Sequence, residues 1–123
     1  MNIVRIQPEA RWSEAVIHNN TLYFTGVPDN LDADVYEQSV NVLQQIESML
    51  VSQGSNKRNL IDVTIFLSKL EDFNEMNRAW DSWVIPGHCP VRCTVEARLM
   101  NPKFKVEMKF VAAVFIPSME NSL

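Results

Sequence analysis

The chain has 123 residues, 46% of them hydrophobic and 21% charged, a balance typical of one globular domain; we expect this domain at residues 1–115 and a tail at 116–123. A net charge of −4 and an isoelectric point near 5.1 argue against binding to nucleic acid or to a membrane surface, since both need clustered Lys and Arg. The sequence has the pattern of neither a signal peptide nor a membrane-spanning segment, so we expect a cytoplasmic protein.

The first quarter of the chain predicts three short strands and a loop. Residues 3–6 alternate between apolar and polar types, and so do residues 15–25. The pair Asn19-Asn20 is a turn signal, which divides the second stretch into a hairpin. Residues 27–33 contain a proline with Asp and Asn, which is typical of a loop that leads into a helix.

A long amphipathic helix is predicted from Asp34 to Gln53. Asp34 and Glu37 resemble a capping box, and Gly54 suits the end of the helix. The opposite face of this helix is rich in Glu, Gln and Asn. The apolar stripe predicted to face the core consists of Tyr36, Val40, Leu43, Ile46 and Leu50.

The middle of the chain predicts a central strand and a second helix. Residues 60–67 are dense in β-branched side chains, which favours a buried strand. Ser68 and Glu71 then look like a second capping box, and Pro86-Gly87 ends the helix. Its predicted inward stripe consists of Phe73, Met76, Trp80, Trp83 and Val84.

The last two predicted strands, at residues 91–99 and 103–114, alternate in opposite phase. Odd positions are apolar in the first strand, and even positions are apolar in the second. If the strands pair as a hairpin around Asn101-Pro102 with their apolar faces together, paired residue numbers sum to 203. Glu96 then lies opposite Glu107 on the polar face.

Two facing carboxylates are candidates for catalysis, because their repulsion raises the pKa of one of them unless a cation lies between them. Such a pair suits a general acid and base. Arg92 belongs to the same predicted face, and its guanidinium can hold a substrate carboxylate by two hydrogen bonds. The alternation by itself favours a plainer alternative, in which Arg92, Glu96 and Glu107 cover a solvated sheet face or an ordinary subunit contact.

The predicted order β-β-β-α-β-α-β-β gives an α+β fold, with a six-stranded mixed sheet and two helices on its apolar face. The other face carries charges among Ile or Val residues, so we expect it to pack against other subunits.

The cysteines, histidines and tryptophans do not form a recognisable site in the sequence. Cys89 and Cys93 have neither redox nor zinc spacing and are predicted to be free thiols. Structural or surface roles are favoured for His18 and His88, so no metal is predicted. A core or interface position is favoured for the three tryptophans, Trp12, Trp80 and Trp83.

Three segments near the end of the chain resemble motifs of the RidA (YjgF) family of enamine and imine deaminases: residues 89–96 (CPVRCTVE), 105–108 (KVEM) and 111–114 (VAAV). The opening at residues 11–20 is similar to that of the RutC-like branch, also called YoaB-like. With further similarity at residues 22–26, 62–67 and 72–77, the resemblance covers nearly all of residues 1–115.

The resemblance implies a chorismate-mutase-like fold and a homotrimer whose sheets line a central barrel, with ligand clefts between subunits. It implies that Arg92 holds the substrate carboxylate and that Glu107 positions or activates the hydrolytic water. Water would add to the imine carbon of a 2-imino acid and release ammonia and a 2-oxo acid, with no cofactor or metal. Backbone groups near Thr94 and at the Thr25-Gly26 turn would help to orient the substrate.

The chain departs from the family pattern at several pocket positions. Thr94 replaces the usual Cys, Trp12 stands where Tyr is often found, and Val27 replaces a frequent Gln. Trp12 and Glu96 are the remaining residues that we expect to contact the substrate. Because the loss or gain of a buried polar group changes selectivity strongly, these departures can redirect substrate choice.

Two other functions compete with hydrolysis. A trimer of this family could bind small carboxylates or 2-oxo acids without turnover and act as a regulatory protein. A ribonuclease or translation-inhibitor activity, which is attached to some relatives, fits poorly with an acidic chain that lacks a basic and aromatic stripe.

Overall fold

The computed structural model describes residues 2–114, which form six strands and two α-helices in the predicted order. Short 3₁₀ turns lie at Lys57–Asn59 and Leu70–Asp72. No helix within this range is long and apolar enough to cross a membrane. The predicted tail at 116–123 lies outside the described residues. The strands are β1 (Ile3–Pro8), β2 (Ser13–His18), β3 (Thr21–Gly26), β4 (Leu60–Leu67), β5 (Val91–Glu96) and β6 (Val106–Ala113), and the helices are α1 (Val35–Ser52) and α2 (Phe73–Trp83).

Local sequence signals explain the β2–β3 turn and the ends of α1. Asn19 and Asn20 have φ values of 51° and 61°, the left-handed conformation that a tight two-residue hairpin turn requires and that Asn tolerates. Asp34 caps α1, because its carboxylate accepts a 2.8 Å hydrogen bond from the backbone N–H of Glu37. Gly54 follows the helix with φ of 72°, as a C-terminal glycine does. These three predictions are confirmed.

The strands form one mixed sheet in the order β1-β2-β3-β6-β4-β5. Among the strands of residues 2–114, β4 and β5 form the one parallel pair, and α2 makes the crossover between them. Both helices cover the same face of the sheet, and we call the other side the open face. The core between sheet and helices contains Leu22, Phe24, Val63, Ile65, Leu67, Met108 and Phe110 from the strands and Val42, Leu43, Ile46, Leu50, Met76 and Trp80 from the helices.

The predicted hairpin between the last two strands is wrong. β4 lies between β5 and β6 and pairs with both of them. The physical reason is that Val63 and Ile65 are fully buried, so β4 gains most as an inner strand with a partner on each edge. The segment between β5 and β6 crosses the end of β4 instead of forming a tight turn.

The helices also differ in detail from the predictions. α2 begins at Phe73 after a 3₁₀ turn, without the predicted Ser68 cap, and it ends at Trp83 before Pro86-Gly87. In α1, Tyr36 and Val40 lie at the margin of the core. Gln38 and Ser39 are completely buried in their place, and the apolar pattern gave no sign of these two polar residues.

Candidate functional site

The register of β5 against β4 decides which way the candidate residues of β5 point. Arg92 is paired with Val63, Thr94 with Ile65, and Glu96 with Leu67. Paired residues share a face, and these three β4 residues are buried under the helices. The charged face of β5 is therefore the helix-covered face, opposite to the prediction.

Arg92 is half-buried between the edge of the sheet and α2. One terminal nitrogen of its guanidinium donates a 2.7 Å hydrogen bond to Oδ1 of Asn77. The guanidinium carbon lies 5.3 Å from the ring centre of Trp80 and 5.9 Å from that of Phe73, within the range of cation–π attraction. Burial lowers the pKa of Arg92, and the charge of Asp81 opposes this shift. Within residues 2–114, no carboxylate lies within ion-pair distance of Arg92.

Asn77 is a residue of this site that the sequence analysis did not single out. It lies on the inward side of α2, four residues after Phe73 and three before Trp80. A polar side chain within an apolar helical stripe needs a partner, because an unpaired buried amide costs free energy. That spacing was a signal available in the sequence, and the partner proves to be Arg92.

Glu107 lies on the open face, away from Arg92. It is paired with Phe66 of β4, between the buried residues Val106 and Met108 of its own strand. Partial burial raises the pKa of Glu107 above its usual value, because desolvation disfavours the charged carboxylate. A carboxyl group with a raised pKa is suited to accept a proton near neutral pH.

Thr25 shares the open face with Glu107, whereas Gly26 serves the packing behind it. Thr25 is paired with Lys109, one pleat along β6 from Glu107. A Cβ placed on Gly26 would lie 3.0 Å from a methyl group of Val42. Glycine therefore suits the close approach of β3 to α1, next to Thr25 near the end of the strand.

Within this chain, Glu96 and Thr94 are surrounded by residues of the fold itself. The Oε2 atom of Glu96 accepts a 2.8 Å hydrogen bond from the backbone N–H of Leu70, at the start of the 3₁₀ turn before α2. The predicted opposition of Glu96 and Glu107 is wrong, because β4 separates their strands and they point to opposite faces. The hydroxyl of Thr94 is buried without a hydrogen-bond partner among the described residues.

Trp12 lies far from Arg92 within one chain. It is in the turn between β1 and β2 and is 66% exposed. The strands β1 and β5 form opposite edges of the sheet, and five strand spacings put these edges about 24 Å apart. The candidate residues thus form separate groups: Arg92 with Asn77 at one edge, Glu107 with Thr25 at the centre of the open face, and Trp12 beyond the other edge.

Cavities, thiols and metal-ligand types add no further member to these groups. A cavity of about 550 Å³ lies beside α1, and one of about 730 Å³ lies against residues 96–102; neither is lined by Arg92 or Glu107. Cys89 and Cys93 are free thiols, as predicted, and both are exposed. Within residues 2–114, no group of three or more His, Cys, Asp or Glu side chains is arranged to hold a metal ion.

Comparison with known proteins identifies the family. The family described as Endoribonuclease L-PSP matches residues 2–114. The RutC family protein YoaB of Escherichia coli (strain K12) is 66% identical over 114 residues, which are 93% of this chain and 100% of that protein. A RutC family protein of Haemophilus influenzae is 46% identical and covers 91% of this chain and 98% of its own length.

The solved structures agree with this assignment. The crystal structure of a member of the YjgF protein family from Neisseria meningitidis superposes with a TM-score of 0.89 at 38% identity, covering 94% of this chain and 98% of the other. An uncharacterized protein from Pseudomonas aeruginosa gives the same TM-score at 34% identity and covers 93% of this chain and 100% of its own. The chain therefore belongs to the endoribonuclease L-PSP family, which includes the RidA and YjgF proteins, and within it to the RutC-like branch.

Proposed function

We propose that this protein hydrolyses reactive 2-enamine and 2-imine intermediates of amino-acid metabolism to 2-oxo acids and ammonia. The observation that carries the proposal is the state of Arg92. Its guanidinium is partly desolvated, is held by a neutral amide and two aromatic rings, and has no carboxylate partner among the described residues. Such a group binds an anion strongly, and a 2-imino acid supplies one in its carboxylate.

The proposed chemistry needs only a fixed substrate and an activated water. With the carboxylate held by Arg92, the carbon of the C=N bond faces a water that Glu107 polarises. Glu107 takes a proton from the water as its oxygen bonds to that carbon, and gives this proton to the nitrogen, which leaves a tetrahedral amino alcohol. Glu107 then takes the hydroxyl proton as the C=O bond forms and the C–N bond breaks, and passes it to the nitrogen, which leaves as ammonia. The raised pKa of Glu107 supports this role, since a base works best when its pKa lies near the working pH.

We further propose that two subunits complete each site, in a homotrimer with clefts between neighbours. Arg92 and Glu107 lie on opposite faces of one sheet, so one chain cannot offer both to the same small ligand. A ring in which the β5 edge of one copy meets the open face of the next can do so. The open face also exposes apolar side chains, with Val91 73%, Val95 42% and Tyr23 41% exposed, and a neighbour would cover them.

In such a cleft, other residues predicted from the sequence would also contact the substrate. Thr25 and the backbone next to Gly26 would orient the substrate on the Glu107 side, and Thr94 would do so on the Arg92 side. Trp12, at 66% exposure, would close the cleft from a neighbouring chain, with its ring against the apolar part of the substrate. The ligand is a small 2-imino or 2-oxo acid, and no cofactor, metal, nucleic acid or membrane takes part.

Binding without turnover is the competing function, because the surroundings of Arg92 would hold a 2-oxo acid equally well. The test is release of 2-oxo acid from imino acids generated in situ by an amino-acid oxidase. We expect wild type to accelerate release and Glu107→Gln to lose about 10²- to 10⁴-fold in kcat, as for removal of a general base. Glu71→Gln, which changes an exposed acid in the 3₁₀ turn before α2 and on a different element from Glu107, is the matched control.

The pH dependence sharpens this test. Deprotonated Glu107 is the active form, so kcat/KM should rise with pH through a pKa above the usual value for Glu, and Glu107→Gln should remove that rise. The raised pKa also lowers the free energy of unfolding as pH rises through it, so the Gln variant should gain stability over wild type at neutral pH but not at pH 4. No acceleration by wild type with several imino acids would leave ligand binding as the function.

A further inference from the structure

Gln38, in the second turn of α1, is a completely buried polar residue at 0% exposure. Its side-chain amide faces the segment that precedes β6. Nε2 donates hydrogen bonds to the carbonyl oxygens of Lys103 at 3.0 Å and of Leu31 and Ala33 at 3.3 Å. Oε1 accepts a 2.8 Å hydrogen bond from the backbone N–H of Lys105. Both ends of the amide are therefore used, and all of its partners are backbone atoms.

The bonds to Lys103 and Lys105 bracket the turn and bend that lead into β6. The N–H of Phe104 closes this turn with a 3.0 Å hydrogen bond to the C=O of Asn101. Backbone groups in a turn lack the partners that a sheet supplies, and the amide of Gln38 provides two of them. The C=O of Lys105 accepts a 3.2 Å hydrogen bond from the N–H of Ser68, the residue after β4. Residues 103–105 are thus held between α1 and the end of β4.

The same segment is fixed by bonds from its own side chains. Nζ of Lys105 donates a 2.7 Å hydrogen bond to the C=O of Ala33, and Nζ of Lys103 lies 3.2 Å from a carboxylate oxygen of Asp32. The Lys103 contact is exposed and contributes little. The Gln38 amide is buried and receives no help from water, so its bonds are the ones whose loss would release the segment.

We propose that Gln38 is a positioning residue for Glu107. Glu107 is the second residue of β6, and residues 103–105 fix where that strand begins and in which register it meets β4. The first pair of this register is Leu67 with Val106, and the second is Phe66 with Glu107. Without the Gln38 bonds, the start of β6 frays and the carboxylate moves into solvent. The inference rests on the proposed function of Glu107 as the base and adds the residue that holds it in place.

The test compares catalysis with binding in Gln38→Met, which keeps the volume of the side chain and removes the amide, and in Gln38→Glu. Competent sites are counted by calorimetric titration with 2-oxobutanoate, and kcat is expressed per site. We expect kcat per site to fall by about 10- to 100-fold, as misplacement by about 1 Å can cause. Kd should stay within about threefold, because Arg92 lies on β5 and keeps its partners. In Gln38→Glu, protonation of the new side chain restores a donor, so the ratio of its kcat per site to that of wild type at the same pH should rise as pH falls.

Leu50→Ala is the matched control, since Leu50 is buried at the far end of the same helix and its loss destabilises the fold without touching residues 103–105. It should leave kcat per site unchanged. If Gln38→Met does not fold, Gln38→Glu carries the test. Unchanged kcat per site, or a parallel loss of kcat and affinity, would overturn the proposal.

A wild type without deaminase activity would refute the proposed function and leave Gln38 to be judged by NMR. The carboxyl carbon of Glu107 then reports its pKa, and hydrogen exchange reports the Lys105 amide. A Glu107 pKa that falls toward the usual value in the Gln38 variants, with faster exchange at Lys105, would support positioning. An unchanged pKa in the variants would overturn it.

Discussion

The edge strand β5 and the inner strand β6 place their candidate charged residues on opposite faces of the sheet. Arg92 of β5 points under α2, where an amide and two rings hold it, whereas Glu107 of β6 points to the open face. A guanidinium tolerates the position under a helix because its flat face packs on rings while its edge keeps a hydrogen bond. A carboxylate is an anion and gains no such attraction from the face of an aromatic ring. On the open face it keeps access to water.

The group that binds the substrate and the group that carries out the chemistry are therefore held by separate parts of the fold. Arg92 depends on α2 and the sheet edge, and Glu107 depends on the register of β6 with β4 and, by our inference, on Gln38. A substitution in one region should therefore leave the other intact, and only assembly of subunits should join them. The following experiments test that independence, beginning with the largest expected effect.

Arg92→Ala should weaken binding of 2-oxobutanoate and lower kcat/KM by about 10²- to 10⁴-fold, because two hydrogen bonds to a charged group contribute about 1.5–3 kcal/mol each. Arg92→Lys should recover only part of this, since an ammonium group lacks the two-pronged geometry. Calorimetric titration and steady-state kinetics measure both effects. Arg58→Ala, at an exposed site before β4, is the control. Unchanged affinity in Arg92→Ala would mean that the carboxylate is bound elsewhere.

Mixing two inactive variants tests whether a site is shared between chains. Chains carrying Arg92→Ala and chains carrying Glu107→Gln are combined in equal amounts, unfolded together and refolded. If each cleft takes Arg92 from one chain and Glu107 from its neighbour, about a quarter of the clefts in a random ring contain both native residues. Activity should return to about that fraction of wild type. No recovery in properly assembled mixtures would place both residues in one chain's site.

Asn77→Leu should weaken 2-oxobutanoate binding by about tenfold, because the hydrogen bond that orients Arg92 contributes about 1.5 kcal/mol. The effect is smaller than that of Arg92→Ala, since the rings of Trp80 and Phe73 still confine the guanidinium. The kcat of saturated enzyme should change little, as Glu107 is untouched. Asn74→Leu, on the exposed side of the same helix, is the matched control. A large loss of kcat with unchanged Kd would show that Asn77 acts on the chemical step instead.

The parts of the fold that local sequence determines were predictable. β4 has the predicted bounds, and α1 lies within the predicted range, because β-branched density and an Asp cap with a terminal Gly act over a few residues. The faces of β5 were not predictable in this way. Alternation shows that two sides of a strand differ, but which side is covered depends on the neighbouring strand and on the helix above it.

The arrangement of the site likewise depends on contacts between distant parts of the chain, which local sequence does not reveal. Arg92 and Glu107 were chosen from their strands and from family resemblance, but their opposite orientation follows from the insertion of β4 between β5 and β6. Gln38 lies between Tyr36 and Val40, which were predicted to face the core, and two of its hydrogen-bond partners are 65 and 67 residues distant in the chain. Such long-range bonds between a side chain and the backbone leave no periodic signal in the sequence.

Glu96 provides the smallest and most discriminating test, because its predicted and observed surroundings differ. As the acceptor for the N–H of Leu70, it ties the end of β5 to the start of α2, so Glu96→Ala should lower the free energy of unfolding by about 1 kcal/mol, as for a lost helix cap. Glu96→Gln keeps an acceptor oxygen and should lose less. Urea unfolding measures both, and kcat per competent site should hardly change. If kcat falls strongly while stability is kept, Glu96 acts on the substrate in the assembled cleft, and its bond to Leu70 is secondary.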